Sequence, residues 1–89
     1  MKLAEKRTRK KIFDEDGVKA FATQLIKIRT RKGYTQSQLA FESGLSLSQI
    51  ARIETARINP TLSTAFVLAR TLDIPLKELF DFMLPSAED

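Results

Sequence analysis

The stretch Gln36–Thr55, QSQLAFESGLSLSQIARIET, decides the fold. Its apolar positions are Leu39, Leu45, Ile50 and Ile53, and Gly44 divides it into two short amphipathic halves. Thr35 stands three residues before Gln38, the spacing of a capping box, and predicts a helix from Gln36 to about Ser43. That helix turns Leu39, Ala40 and Ser43 inward. Gly44 ends it, because a tight interhelical turn needs a positive φ at low cost. Ser46 then caps a second helix running to about Thr55, with Ile50 and Ile53 inward. Leu45 tucks beneath the turn, and the small side chain of Ala40 lets the two helices approach closely.

Outward from this unit the periodicity stays helical. Phe21, Leu25 and Ile28 recur at helical spacing through Val18–Lys32. Asp16 is the expected N-cap there, with Asp14 and Glu15 beside the positive end of the helix dipole. Arg29, Arg31 and Lys32 fall in the last turn, and Gly33 ends the helix as a left-handed residue. Downstream, Asn59-Pro60 marks a turn. Thr61 or Ser63 opens a fourth helix with Leu62, Ala65, Leu68, Ala69 and Leu72 on its buried side. Pro75 starts a short fifth helix through Leu76, Leu79 and Phe80. No segment alternates with period two, so the expectation is an all-α, compact five-helix domain over residues 14–84. It follows a basic N-terminal arm (1–13) and precedes an acidic tail (85–89).

Composition narrows the function classes. The chain has 89 residues, which suits one domain, and neither Cys nor His. No disulfide or thiolate zinc site can form, and the usual general base near neutral pH is missing. Asp14, Glu15 and Asp16 are adjacent carboxylates, but no nucleophile, metal cluster or phosphate loop accompanies them, so no enzyme, metal or cofactor is expected. No apolar stretch approaches the ~20 residues of a membrane span, and the expected location is the cytoplasm. The formal net charge of +4 is unevenly spread. Lys2, Lys6, Arg7, Arg9, Lys10 and Lys11 face only Glu5 in the arm. Lys27, Arg29, Arg31, Lys32, Arg52 and Arg57 face only Glu42 and Glu54 in the middle. From Asp73 onward acidic residues dominate. A field polarised in this way suits a polyanion held on one side.

Two short helices around a tight turn make a helix-turn-helix, the second helix entering the major groove of DNA. With Ile50 and Ile53 inward, a step of ~100° per residue turns Ser48, Arg52 and Thr55 outward. Arg52 can bond guanine N7 and O6, and Leu47 can meet a thymine methyl. The alternatives are a phosphate contact or surface ion pair for Arg52, and packing against the turn for Leu47. Gln49 lies at the flank and suits either bases or phosphate.

The stretch from about Phe21 to Phe80 resembles the Cro/C1-type (XRE-like) helix-turn-helix family of bacterial and phage repressors. The residues that carry the likeness are Lys32-Gly33-Tyr34-Thr35-Gln36-Ser37-Gln38-Leu39-Ala40, Ser43-Gly44-Leu45-Ser46, Ile50, Ile53-Glu54, Asn59-Pro60-Thr61-Leu62 and Leu76-Lys77-Glu78-Leu79-Phe80. The resemblance implies a five-helix domain that binds duplex DNA, commonly as a homodimer on a palindromic operator. It implies base reading by Ser46, Leu47, Ser48, Gln49 and Arg52 from the recognition helix 46–55. It places Thr35 and Gln36 at a phosphate, and implies an Arg29–Glu54 pair that ties helix one to the recognition helix while Arg29 spreads toward a phosphate. Lys32 and Arg57 flank the groove as further phosphate candidates or as solvated charge.

Two positions depart from the family pattern. Phe41 stands where a polar residue is usual, and local packing is expected for it in preference to a protein contact. Ala56 stands where the family often has Gly, which bears on the turn there. Phe82, Met83 and Leu84 either close the core or join Phe41 as candidate partner or dimer contacts. The expected function is sequence-specific binding of double-stranded DNA and transcriptional regulation, as a repressor. The alternative is an antitoxin that binds a toxin partner as well as its own operator. The basic arm either lies along DNA or serves only as a solubilising tail.

Overall fold

The structure is a computed structural model that describes residues 12–86. Its elements are α1 (Glu15–Arg31), α2 (Gln36–Ser43), α3 (Leu47–Glu54), α4 (Leu62–Leu72) and α5 (Leu76–Leu79). No strand occurs among the described residues. The expected arm lies outside them up to residue 11, as do residues 87–89 of the expected tail.

The starts of α1 to α4 are each set by a side chain that satisfies an otherwise orphaned backbone donor, whereas α5 begins at Pro75 without such a bond. Thr35 and Gln38 close a capping box at α2, and Ser46 and Gln49 close another at α3. Thr61 caps α4, so Ser63 lies inside the helix. At α1 the cap is Asp14, whose Oδ1 accepts from the Gly17 N–H at 3.0 Å. The expectation of Asp16 is corrected: the helix begins one turn-fraction earlier, and Glu15 and Asp16 sit in its first turn, at the positive end of the dipole.

The ends of α1, α3 and α4 share one device. At α1 the Gly33 N–H donates to the Thr30 carbonyl and the Tyr34 N–H to that of Arg29. This is the Schellman arrangement, with Gly33 at φ +81°. The same pair of bonds ends α4 at Asp73 and α3 at Ala56. Asp tolerates the left-handed region comparatively well, whereas Ala56 enters it at φ 57° against its own Cβ. The family departure at residue 56 therefore keeps the turn geometry and carries strain. Gly44 ends α2 in the same region, at φ 82°.

One core joins all five helices. Leu25 and Ile28 of α1, Leu39 of α2, Ile50 and Ile53 of α3, Leu68 and Leu72 of α4 and Leu79 of α5 are fully buried. Burying each contributes roughly 1.5–3 kcal/mol. Ala40 is buried where α2 approaches its neighbours, and Leu45 packs against the core from the turn. Val18 and Ala22 extend the buried face of α1 beyond the expected stripe. Leu62 does not join its stripe: it occupies the first helical position after the cap and is 70% exposed, and the buried face begins at Ala65. Leu76 and Phe80 also remain partly exposed. The side chains of Gln24 and Arg31 hold α5 to α1, donating to the Glu78 carbonyl and carboxylate respectively.

The Phe82-Met83-Leu84 segment divides. Phe82 packs against the core behind Phe80, whose ring lies 5.4 Å from that of Phe21. Met83 is 90% exposed, and Leu84 is exposed beside Gly17.

Replacing Ala56 by Gly should raise stability by about 1 kcal/mol, the relief of left-handed strain outweighing the entropy of a freer unfolded chain. A lower urea midpoint for Ala56→Gly at unchanged m-value would contradict this.

Candidate nucleic-acid interface

Arg29 lies near the end of α1 and Glu54 is the last residue of α3. Their side chains meet as a two-point pair: Arg29 Nε donates to Glu54 Oε2 at 2.6 Å and Nη2 to Oε1 at 3.0 Å. Arg29 Nη1 also donates to the Tyr34 carbonyl at 2.9 Å. Gln36 Nε2 donates to Glu54 Oε1 at 2.8 Å. One buried carboxylate, its side chain 3% exposed, thus fastens the end of α1, the following turn, the start of α2 and the end of α3. Bidentate, charge-assisted bonds of this kind are strong and directional.

The network revises two expectations. The Arg29–Glu54 pair is present, but Arg29 does not spread toward a phosphate: its side chain is only 12% exposed and its fork is engaged by Glu54 and Tyr34. Gln36 is half-buried with its amide nitrogen turned inward, because a carboxylate can only accept. A phosphate at the start of α2 would meet its free backbone N–H groups and the second Nε2 hydrogen. The sequence carried no separate sign of the Gln36–Glu54 bond, since it depends on how α2 and α3 cross.

Beyond this anchor α3 presents Leu47, Ser48, Gln49, Arg52 and Thr55 to solvent, and Leu47 is 48% exposed. Thr55 spends its hydroxyl proton on the Ala51 carbonyl of its own helix, at 2.8 Å. Ser46 Oγ accepts from the Gln49 N–H at 3.0 Å, so its hydroxyl proton is what it can offer outward. Arg52, Lys32 and Arg57 are exposed and form no ion pair among the described residues. Thr35 is exposed, with its Oγ1 accepting from the Gln38 N–H. Phe41 is 87% exposed, which corrects the expectation of local packing: Leu39 and Ala40 take the buried face of α2 and leave Phe41 opposite.

Tyr34 was not singled out from the sequence. Its hydroxyl lies 2.9 Å from Glu42 Oε1 and 3.3 Å from the Thr71 carbonyl, linking the α1–α2 turn to α2 and α4. The bond to Glu42 raises the phenol pKa above its ordinary value, helped by desolvation and by the negative charges of Glu42 and Asp73. No group of three carboxylates suited to a metal occurs among the described residues, and no described helix is long and apolar enough to cross a membrane.

An exposed short helix, held by a buried ion pair behind a capped partner helix and a left-handed turn, defines a helix-turn-helix domain. The chain belongs to the helix-turn-helix family of DNA-binding transcriptional regulators, Cro/C1-type, whose profile matches residues 25–79. It is 44% identical over 54 residues to the HTH-type transcriptional regulator SlrR of Bacillus subtilis (strain 168), covering 60% of this chain and 36% of SlrR. The chain therefore spans about a third of that relative's length. Among solved structures it superposes on the restriction-modification controller protein C.AhdI from Aeromonas hydrophila with a TM-score of 0.69. The two are 40% identical, over 71% of this chain and 96% of C.AhdI. It also superposes on the controller protein C.Esp1396I, solved as a tetramer with its natural 35 base-pair operator. That match has a TM-score of 0.66 and 25% identity, over 76% of this chain and all of the controller.

Removing one partner of the buried pair leaves an uncompensated charge. Arg29→Ala should cost about 3–5 kcal/mol of stability; a loss under about 1 kcal/mol in urea unfolding would class the pair with exposed bridges. Tyr34 is the chain's one tyrosine and there is no tryptophan, so tyrosinate absorbance reports it alone. Its midpoint should lie above the ordinary ~10, and Glu42→Gln should bring it down. Because the fold favours the protonated phenol, this contribution to stability is complete below that ordinary value and vanishes as pH rises through the raised pKa. A midpoint at or below the ordinary value would refute the assignment.

Proposed function

We propose that this chain binds a palindromic operator as a homodimer in the cytoplasm and represses transcription, with α3 in the major groove. The observation that carries the reading is the division of charge at the site. The largely buried Arg29 and the buried Glu54 are spent on holding α3, while Arg52, Lys32 and Arg57 stand exposed beside it. The likeness to an operator-bound controller supports the same use of the surface. In this reading Leu47, Ser48 and Arg52 meet base edges, with Ser46 at their margin. Thr35, Gln36, Lys32 and Arg57 meet phosphates, which position the domain without choosing sequence. Met83 and Leu84, exposed at the end of the domain, form the twofold contact.

A second reading, an antitoxin with a protein partner, is favoured by Phe41, a large apolar side chain standing free on α2. Its discriminating observation is a stoichiometric partner that co-purifies with the wild-type chain and is lost with Phe41→Ala.

Selection of binding sites from random duplexes, at stated salt, tests the main reading. The selected site should be a palindrome with half-sites about one helical turn apart. On that site Arg52→Ala should lose about 1–3 kcal/mol of binding and relax the preference at one base pair per half-site. An unselective pool from the wild-type chain would overturn the reading. Equal loss on operator and random duplex would move Arg52 to a phosphate.

A further inference from the structure

Gln49 supports an assignment of its own, which rests on the DNA-binding reading. The Ser46 N–H donates to its Oε1 at 3.2 Å, while the Gln49 N–H donates to Ser46 Oγ at 3.0 Å. The side chain is exposed, and its oxygen is held back over the first turn of α3. What it presents outward is Nε2, which donates and cannot accept. Two-point recognition of adenine needs the oxygen and nitrogen of one amide together on the base edge. The capping box withholds the oxygen.

Placement points the same way. Taking Ile50 and Ile53 as the centre of the buried face, a step of ~100° sets Ser48 about 170° away, Arg52 about 130° and Gln49 about 70°. Ser48 and Arg52 therefore face the groove floor, and Gln49 lies toward one groove wall, where the phosphates run. Leu47, about 90° round on the other flank, reaches bases only as the first residue at the helix tip. The charge pattern fits a polyanion. The first turn of α3 has no acidic residue, and its box is closed by neutral Gln49, although a Glu would close it equally well. The first turn of α1, by contrast, holds Glu15 and Asp16.

We propose that Gln49 is a phosphate contact rather than a base reader: Nε2 donates to the DNA backbone and seats the start of α3, and base choice falls to Leu47, Ser48 and Arg52. Two variants test this on the selected operator and on random duplex. Gln49→Ala should weaken both about tenfold and equally. Gln49→Glu should keep the capping box and the wild-type melting temperature, and bind both more weakly than Gln49→Ala, because a carboxylate then faces a phosphate. A scan of single neutral methylphosphonates through one half-site supplies the direct readout. Gln49→Ala should become indifferent to one substitution that weakens the wild-type chain and keep its response to the others. A changed base preference in Gln49→Ala, or a scan identical to wild type, would overturn the proposal. A wild-type chain that holds no duplex sinks it together with the DNA-binding reading, and that failure is visible before any variant is compared.

Discussion

The buried carboxylate of Glu54 is the constraint on which the geometry of the site depends. It receives two donors from Arg29 and one from Gln36, while Arg29 also holds the Tyr34 carbonyl. A charge this far from water is tolerated only when its acceptor sites are filled and a counter-charge lies against it. The two helices that supply those donors, α1 through Arg29 and α2 through Gln36, are therefore locked to the end of α3, and Arg29 holds the intervening turn through the Tyr34 carbonyl. The angle at which α3 leaves the body, and so the direction in which Ser48 and Arg52 point, follows from this closure. The cost is that Arg29, a cation in a basic region, is committed to orientation through its bonds to Glu54 and Tyr34.

Helices as short as α2 and α3 do not persist alone, because nucleation is costly and eight residues recover little of it. Here both ends of each are secured. Capping boxes satisfy the starts, left-handed turns satisfy the ends, and Leu39, Ile50 and Ile53 sink into a core shared with α1, α4 and α5. Ala56 shows how much the closing geometry matters. The chain accepts a strained non-glycine residue there to keep both Schellman bonds, one of which returns from Arg57 to the Arg52 carbonyl. That bond places Arg57 directly after the exposed helix.

The exposed face of α3 is correspondingly spare. Its first turn is uncharged, its one cation is Arg52, and Thr55 is occupied with its own helix. Lys32 opens the turn after α1 and Arg57 closes the turn after α3, both next to the anchor, and acidic residues gather at α5 and beyond. In the function proposed above, attraction and discrimination reside in different residues: charge at the rim would draw a polyanion in without regard to sequence, leaving a few side chains on one helix face to tell base pairs apart.

Much of this was legible from residues 36–55 alone, because helix starts, left-handed turns and buried periodicity are local and leave local signatures. Thr35 with Gln38, Gly44, and the Ile50–Ile53 stripe determined two helices and the turn between them. The likeness to the Cro/C1-type family added the Arg29–Glu54 pair, which no local rule connects across twenty-five positions. What only the tertiary structure decided was how side chains with several uses were committed. Arg29 and Gln36 looked like phosphate ligands, and the packing of α1 and α2 against α3 turned both toward Glu54. Tyr34 acquired partners on α2 and α4. Phe82 joined the core while Met83, its neighbour, stayed in solvent. A hydrogen-bond donor or an apolar side chain carries its capacity in the sequence. Its partner is chosen by whichever element arrives within reach, and the crossing of helices distant along the chain sets that.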